Sequence, residues 1–583
     1  ERVNQLAHYL RNLGVRPETF VAISVESPLE MVVGLFGILK AGGVYIPLDI
    51  SHPEKRLESM LEDMQASILL TQTNLIKKFN TYKGTVVLLD KEKDNLAHLS
   101  TLNPRSHVST HNLAYIIFTS GSTGKPNGVM VGHKQLVNLI TSLGDLTSLQ
   151  QGDSFIQNVP FSFDPSLWST LWPLTQGGYV LLLDHSKLRD SEYILKLISD
   201  HSVKVLNIGP TMFRALISRE HIKDCKTINH IIGGGDEWKY KDLQDLNEKL
   251  PSCHFSNAYG PTETTIQVLT WTCKERLESL PSIPLGKPIA NARIYILDTN
   301  LNQVPIGAIG EIFIGGVGLA RGYLNKPGLT AEKFIANPFS HKPGERLYRT
   351  GDLARYLPDG NIEFLGRVDD QVKIRGFRIE LGEIESTLSQ YDDVKQAVVV
   401  AREDQPGDKK LIAYVVPQEK LLSSLEQESL LTSSSQQEFA VLHGESLPAL
   451  TEALRNHLTR SLPDYMIPSF FVFLNKMPLI PNGKIDRKSL PAPDLSLRHV
   501  GEEYVAPTTQ IEQELVKIWS EVLELDQAEI GIKNNFFDLG GNSILLIRLK
   551  AKLEKELNYL HNLNVSDLFK YSTISALVDH LLK

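Results

Sequence analysis

Between residues 20 and 210, short apolar runs alternate with longer amphipathic stretches. This alternation limits the fold more than any other feature of the chain. "FVAISV" (20–25), "SILLTQ" (67–72), "GYVLLLD" (178–184) and "VKVLNIGP" (203–210) read as strands. "PLEMVVGLFGILKAGG" (28–43) reads as a helix closed by glycines. Strands alternating with helices imply α/β organisation, with helices covering mostly parallel sheets. The 583 residues exceed what one core fills, so several domains are expected. After about residue 280 the glycine-rich, alternating "ARIYILD" and "GEIFIGGVGLARGYL" predict a smaller β-rich subdomain. A new block starts at "GRVDDQVKIRGFRIELGEIESTL" (366–388). The stretch 418–447, rich in Ser, Glu and Gln, predicts a polar loop because such composition buries little. "PAPDLS" (491–496) and "VAPTT" (505–509) punctuate a linker, and amphipathic helix patterns fill the end of the chain.

Composition excludes several classes. A net charge of −8 lacks the basic footprint of a general nucleic-acid binder. Three cysteines with no C-x-x-C pair argue against a disulfide scaffold or structural zinc and fit a reducing, cytoplasmic setting. No apolar run is long enough to span a bilayer, so no membrane partner is expected. The opening "ERVNQLAHYLRNLGV" is a helix pattern already under way rather than a signal peptide, which predicts a truncated first domain.

"YIIFTSGSTGKPNGVMVGH" (115–133) follows an apolar run with a cluster of small residues and one lysine. It is not the ordinary P-loop, since Thr119 and Pro126 stand where that motif needs glycine and a hydroxyl residue. The ingredients of an anion cradle remain: Thr119, Ser120, Ser122 and Thr123, the glycines Gly121 and Gly124, and the cation of Lys125. A polar surface turn has the same composition, so the loop alone leaves both readings open.

Further motifs follow in order: "NAYGPTETT" (257–265), "YRTGDLARYLPDGNIEFLGRVDDQVKIRGFRIELGEIE" (348–385), "PNGKIDRKSL" (481–490) and "DLGGNSI" (538–544). The set resembles the adenylation domain of nonribosomal peptide synthetases, within the acyl-adenylate-forming superfamily, followed by a peptidyl carrier protein. The resemblance implies a multidomain α/β adenylate-forming fold. A large core with a β-rich subdomain (1–368) would precede a small mobile α+β subdomain (369–495) carrying the polar insert. A linker (496–508) and an all-α four-helix carrier (509–583) would follow.

The resemblance also implies the chemistry. An amino-acid carboxylate joins the α-phosphate of ATP, pyrophosphate leaves, and the acyl group passes to a thiol on the carrier. Residues Thr119–Lys125 would steady the leaving pyrophosphate. Gly235, Asn257 and Tyr259 would border the nucleotide, Thr262 the α-phosphate, and Glu263 would bind Mg2+, a hard ion that takes carboxylate oxygens. Asp352 would accept the ribose hydroxyls, assisted by Arg367. Lys484 is implied as the catalytic cation between carboxylate and phosphate. Asp369 matches the hinge, and Gly376 the tip of a hairpin shaping the thiol tunnel. Ser543 matches the serine that bears 4′-phosphopantetheine, although an N-cap serine fits its local pattern too. The implied partners are a phosphopantetheinyl transferase and neighbouring synthetase modules.

By motif position, the substrate pocket comprises Asp164, Pro165, Trp168, Asn207, Ile232, Gly234, Ala258, Ile266 and Gln267. Asp164 stands where the family pairs a carboxylate with the α-amino group, which favours an amino acid over a plain acid. Ala258 and Gly234 leave depth between the apolar Trp168 and Ile266, favouring a large or aromatic side chain of phenylalanine type. Asn207 with Trp168, Ile232 and Gly234 also resembles a threonine-type pocket, and an aryl or phenylpropanoid acid is a further alternative. Two other classes compete: an acyl-CoA or aryl-acid ligase using free coenzyme A, and a catalytically dead scaffold. Ser543 and Asp164 argue against the first. The joint presence of Lys125, Glu263, Asp352 and Lys484 argues against the second.

Overall fold

The computed structural model describes the chain except residues 106, 122–123, 148, 189, 274–281, 375, 404–408, 429–438, 443–445, 481–482, 494–504, 524, 537–538, 540, 542, 558–567, 569–570 and 582–583. It divides into two compact units. The first comprises Glu1–Gly121 and Lys125–Ile379, and the second Ser122–Gly124 and Glu380–Lys583.

The first unit holds two seven-stranded sheets. One runs in the order Gly322–Tyr323, Asn127–Gly132, Leu113–Thr119, Val44–Pro47, Phe20–Ile23, Ile68–Thr71, Thr85–Leu88. Its central strands are parallel, and Val44–Pro47 and Ile68–Thr71 are buried at every position. Such continuous apolar runs are what a sheet covered on both faces requires. The helix Pro28–Ala41 starts where the Ser27 hydroxyl accepts from the Glu30 amide and ends at Gly42, whose φ of 101° only glycine adopts freely.

The second sheet runs Lys287–Pro288, Leu269–Cys273, His254–Tyr259, His230–Gly234, Val205–Ile208, Ser154–Gln157, Tyr179–Leu182. Its inner face puts Phe155, Val205 and Ile232 in one core with Trp168 and Trp172 of the helix Pro165–Thr175. Its outer face packs Leu206, Ile208 and Ile231 against other helices. An antiparallel sheet of Ala292–Leu297, Gly310–Gly316, Arg346–Tyr356 and Phe334–Ala336 follows, with Ile362–Arg367 paired to the long third strand. A hairpin of Gln371–Ile374 and Phe377–Glu380 comes next.

The second unit contains the sheet Val394–Glu403, Lys409–Pro417, Phe470–Phe473 with the helices Leu381–Leu388 and Leu447–Thr459. The stretch read as a polar loop departs from that expectation at its start. Glu419–Glu428 is helical, because Leu425 is fully buried and anchors an otherwise polar segment. A separate core formed by Leu515, Trp519, Phe536, Leu546, Leu553 and Leu577 joins the helices Gln510–Leu523, Ser543–Glu556 and Ile574–Leu581. Residues 558–567 of the expected four-helix carrier lie outside the described residues. No helix among the described residues is long and apolar enough to cross a membrane.

Candidate active site

The loop after Leu113–Thr119 turns tightly into Asn127–Gly132. Gly121 is required there, since an added Cβ would lie 2.1 Å from the Lys125 carbonyl oxygen. The Thr119 hydroxyl donates to Asn127 O (3.4 Å) and the Ser120 hydroxyl to Arg378 O (3.0 Å). Both protons are therefore directed into the protein. Gly124 has a φ of 83° and Lys125 is exposed. Ser122 and Thr123 lie outside the described residues.

The strand His254–Tyr259 runs into Gly260-Pro261 and a short 3-10 turn, Thr262–Thr264. Thr265 and Ile266 follow with φ of 64° and 70°. Two β-branched residues in the left-handed region store strain, of order 1–3 kcal/mol each. The turn is held by Thr265 Oγ1 donating to Gly318 O (2.7 Å) and by Gln267 N donating to Thr265 O (2.7 Å). It delivers Glu263 inward to complete burial and sets Ile266 and Gln267 beside the sheet.

Glu263 accepts two bonds from Arg378 Nη1 (2.9 and 2.8 Å) and one from the Tyr323 hydroxyl (2.8 Å). Burial alone would raise its carboxyl; the Arg378 charge and these hydrogen bonds hold it below the ordinary value. Glu263 is thus an ionised oxygen donor whose partner cation here is Arg378. A carboxylate in that state fits Mg2+, which needs one or two carboxylates beside phosphate oxygens. Arg378 would have to release it first.

Asp352 accepts from the Tyr259 hydroxyl on one oxygen and from Arg367 on the other. A carboxylate has about four acceptor sites, so capacity remains for a diol. Arg367 also donates to Asp369 (2.6 and 2.7 Å), Thr350 O (3.1 Å) and Gln371 (3.2 Å). One guanidinium therefore ties the expected ribose carboxylate to the expected hinge residue. Asn257, expected at the nucleotide, donates its side-chain amide to Pro284 O (2.8 Å).

The hairpin lies over these groups. Lys373 Nζ stands 5.7 Å from the Tyr259 ring centre, Phe377 packs edge-on against Phe163 at 5.1 Å, and a Cβ on Gly235 would touch Gly376 at 3.7 Å. Burial lowers the Lys373 pKa, opposed by the Asp352 charge. Lys373, Arg378 and Tyr323 belong to this constellation, and sequence reasoning did not single them out. They stand in the quoted "KIRGFR" and "ARGYL", where no local spacing marks their pairing with Glu263 or Tyr259.

Of the residues expected to line the pocket, Trp168, Ile232, Ala258 and Ile266 share one core. Asp164 precedes the helix Pro165–Thr175 but makes no capping bond. Its side chain is instead 9% exposed, beside Thr262 and Glu263. Burial pushes its carboxyl up to about 6, against a hydrogen bond from Thr262 and with the Glu263 charge adding to the rise. Trp168 is 2% exposed and packs edge-on against Phe155 (5.7 Å) and tilted against Trp172 (6.0 Å), so core packing holds it. Asn207 and Ile232 are register partners, as are Gly234 and Ala258. Gly234 has no room for a side chain, since a Cβ would lie 2.8 Å from Ala258 O. Gln267 Nε2 donates to Thr270 Oγ1 (2.5 Å).

Lys484 and Ser543 belong to the second unit. Lys484 closes a turn in which its carbonyl accepts from Ile480 N (2.8 Å) after Gly483 at φ 82°. Ser543 is the first residue of Ser543–Glu556. Its side chain lies outside the described residues. Gly541, just before it, is pressed on Phe536, where a Cβ would meet the ring at 2.3 Å.

The AMP-binding enzyme family matches residues 1–324, and the phosphopantetheine attachment site matches residues 513–581. The chain belongs to the AMP-binding enzymes and ends in a carrier-type domain. More particularly, it has the adenylation-plus-carrier organisation of nonribosomal peptide synthetases. It is 39% identical to gramicidin S synthase 2 of Aneurinibacillus migulanus, a match covering 100% of this chain and 12% of that protein. It is also 40% identical to tyrocidine synthase 1 of Brevibacillus parabrevis, over 98% of this chain and 49% of that one. The chain thus spans half or less of these relatives. Among solved structures, a four-domain nonribosomal peptide synthetase bound to AMP and glycine is 31% identical. Its TM-score is 0.56, with 100% of this chain and 40% of that one covered. An artificially fused adenylation–PCP didomain from Klebsiella oxytoca is 25% identical with a TM-score of 0.67, covering 81% and 86%. ATP, Mg2+ and 4′-phosphopantetheine are the cofactors of these two families.

Proposed function

We propose that this chain activates the carboxylate of an α-amino acid with ATP and transfers it to the thiol of its own carrier domain. The observation that carries the amino-acid reading is the buried Asp164. A carboxylate raised to about 6 by burial is a group waiting for a cation, and an α-ammonium restores its charge balance. Thr262 and Glu263, expected at the phosphates, adjoin it, so amine recognition and nucleotide chemistry share one turn.

In the first step a substrate carboxylate oxygen bonds to the α-phosphorus. The bond to the bridging oxygen breaks, and pyrophosphate leaves. Lys484 neutralises the two anions as they meet, and Asp352 with Arg367 orients the ribose. Glu263 and phosphate oxygens would hold Mg2+, which supplies charge neutralisation at the phosphates. In the second step a thiolate attacks the acyl carbon and AMP leaves. The 4′-phosphopantetheine arm on Ser543 supplies that thiol when bound, installed by a phosphopantetheinyl transferase. Asp369 would act as the hinge between the two steps, and Gly376 would shape the path of the thiol. The apolar Ile232, Ala258 and Ile266 walls favour a bulky side chain. Neighbouring synthetase modules would supply and consume the bound acyl chain. Amino-acid-dependent exchange of labelled pyrophosphate into ATP tests the proposal. Exchange with a narrow set of α-amino acids is expected; none with any amino or aryl acid would overturn it.

A further inference from the structure

The proposed pocket contains two primary amides, Asn207 and Gln267, each donating to a side-chain hydroxyl. Asn207 lies on Val205–Ile208, where it alone keeps solvent exposure while its three neighbours are buried. It shares the inner face with Ile232, its register partner. Its Nδ2 donates to Ser169 Oγ (3.0 Å) on the helix Pro165–Thr175. Ser169 is fully buried, and its hydroxyl donates to Pro165 O (2.9 Å), one turn back.

A serine hydroxyl carries one proton. Here that proton goes to Pro165 O, so Ser169 can only accept from Asn207. The Asn207 amide is thereby oriented with its NH2 toward Ser169 and its carbonyl oxygen facing away from that hydroxyl. Flipping it would set two acceptors against one another. No described donor reaches Asn207 Oδ1 in the hydrogen-bond network. Gln267 Nε2 also donates, to Thr270 Oγ1, but no described acceptor takes that hydroxyl's proton, so only Asn207 is held in one sense.

We infer that the substrate side chain carries a hydrogen-bond donor, a hydroxyl or an N–H, that meets Asn207 Oδ1. Ser169 is the positioning residue that sets this preference. The inference rests on reading the chamber as an amino-acid pocket. It refines the bulky, phenylalanine-type reading, because a purely apolar side chain would desolvate the carbonyl without replacing its partner. Such an orphaned acceptor costs a factor of about ten to a hundred in binding. A site built to bond a hydroxyl rejects the analogue lacking it more strongly still.

The test is pyrophosphate exchange with near-isosteric pairs: threonine with valine, tyrosine with phenylalanine, and glutamine with methionine. The best substrate is expected to be a donor-bearing member, exceeding its mate about 100-fold or more in kcat/KM. Ser169→Ala is expected to lower that ratio at least about tenfold, the loss falling on the donor-bearing amino acid. Asn207→Leu, at a half-exposed position, should collapse the same ratio and keeps the test decisive if the cavity left by Ser169→Ala impairs folding. A best substrate with an apolar side chain, or a ratio unmoved by both substitutions, overturns the inference and leaves the adenylation reading standing. No exchange with any amino acid overturns both.

Discussion

Replacing Asp164 by Asn tests the cost of keeping a carboxylate in the pocket. The side chain is 9% exposed, and burial raises its pKa from the ordinary 3.8 to about 6. Between those values the folded state holds a proton that the unfolded chain has released, so stability falls as pH rises from 3.8 to about 6. Above 6 the full penalty applies. At about 1.4 kcal/mol per pH unit the penalty is on the order of 3 kcal/mol. The amide has nearly the same shape and no charge to desolvate, so Asp164→Asn should stabilise the ligand-free protein by up to that amount at pH 8. For a unit of this size, with an unfolding entropy of about 0.8 kcal/mol/K, that is a rise of about 4 °C in Tm. The gain should shrink as pH falls through 6, where the parent carboxyl takes up its proton. The same substitution removes a charge-assisted hydrogen bond to the α-ammonium. It should therefore weaken amino acids about 10–100-fold while sparing deaminated analogues. Thermal melts at pH 5 to 8, with exchange assays on an amino acid and its deaminated acid, check both arms. An unchanged or lowered Tm at pH 8, or equal losses for the two substrates, would refute the assignment.

Lys484→Ala should slow adenylate formation by about 10²–10³-fold, as for removal of one electrostatic stabiliser. Transfer from a supplied adenylate should survive, because the hinge reading withdraws Lys484 before that step. Separate assays of the two half-reactions decide it. Arg378→Met should destabilise the first unit by about 3–5 kcal/mol, since it leaves the fully buried Glu263 charge without its cation. Adding Glu263→Gln should recover much of that loss; a double variant no more stable than the single would show that the ion pair is not the cause. Parent amino-acid exchange should decline below about pH 6 as Asp164 protonates, and exchange with a deaminated acid should not follow it.

"SILLTQ" was legible as a strand because it is a short apolar run, and Ile68–Thr71 within it is buried at every position. Asp164, Glu263 and Asp352 were legible as members of quoted motifs, and the fold brings all three into the first unit. Their partners were harder to see. Arg378 meets Glu263 across 115 residues and Tyr323 meets it across 60, separations at which neither periodicity nor local spacing carries information. Ser169 reads as an ordinary helical serine; its role depends on a hydroxyl proton given to Pro165, one turn back. The Asn257 amide also bonds Pro284 O and the Trp168 ring also packs on Phe155, partners that motif position does not reveal. The helix Glu419–Glu428 went unread because sparse leucines hold an otherwise polar stretch.

The central claim is that one chain both activates an amino acid and holds it on Ser543. Intact-mass measurement tests it most directly. After treatment with a phosphopantetheinyl transferase and coenzyme A, the chain should gain the mass of one arm. With ATP, Mg2+ and the cognate amino acid it should then gain one aminoacyl group. Ser543→Ala should abolish both increments and leave pyrophosphate exchange intact. An arm that stays unloaded with every amino acid, or increments that persist in Ser543→Ala, would contradict the account.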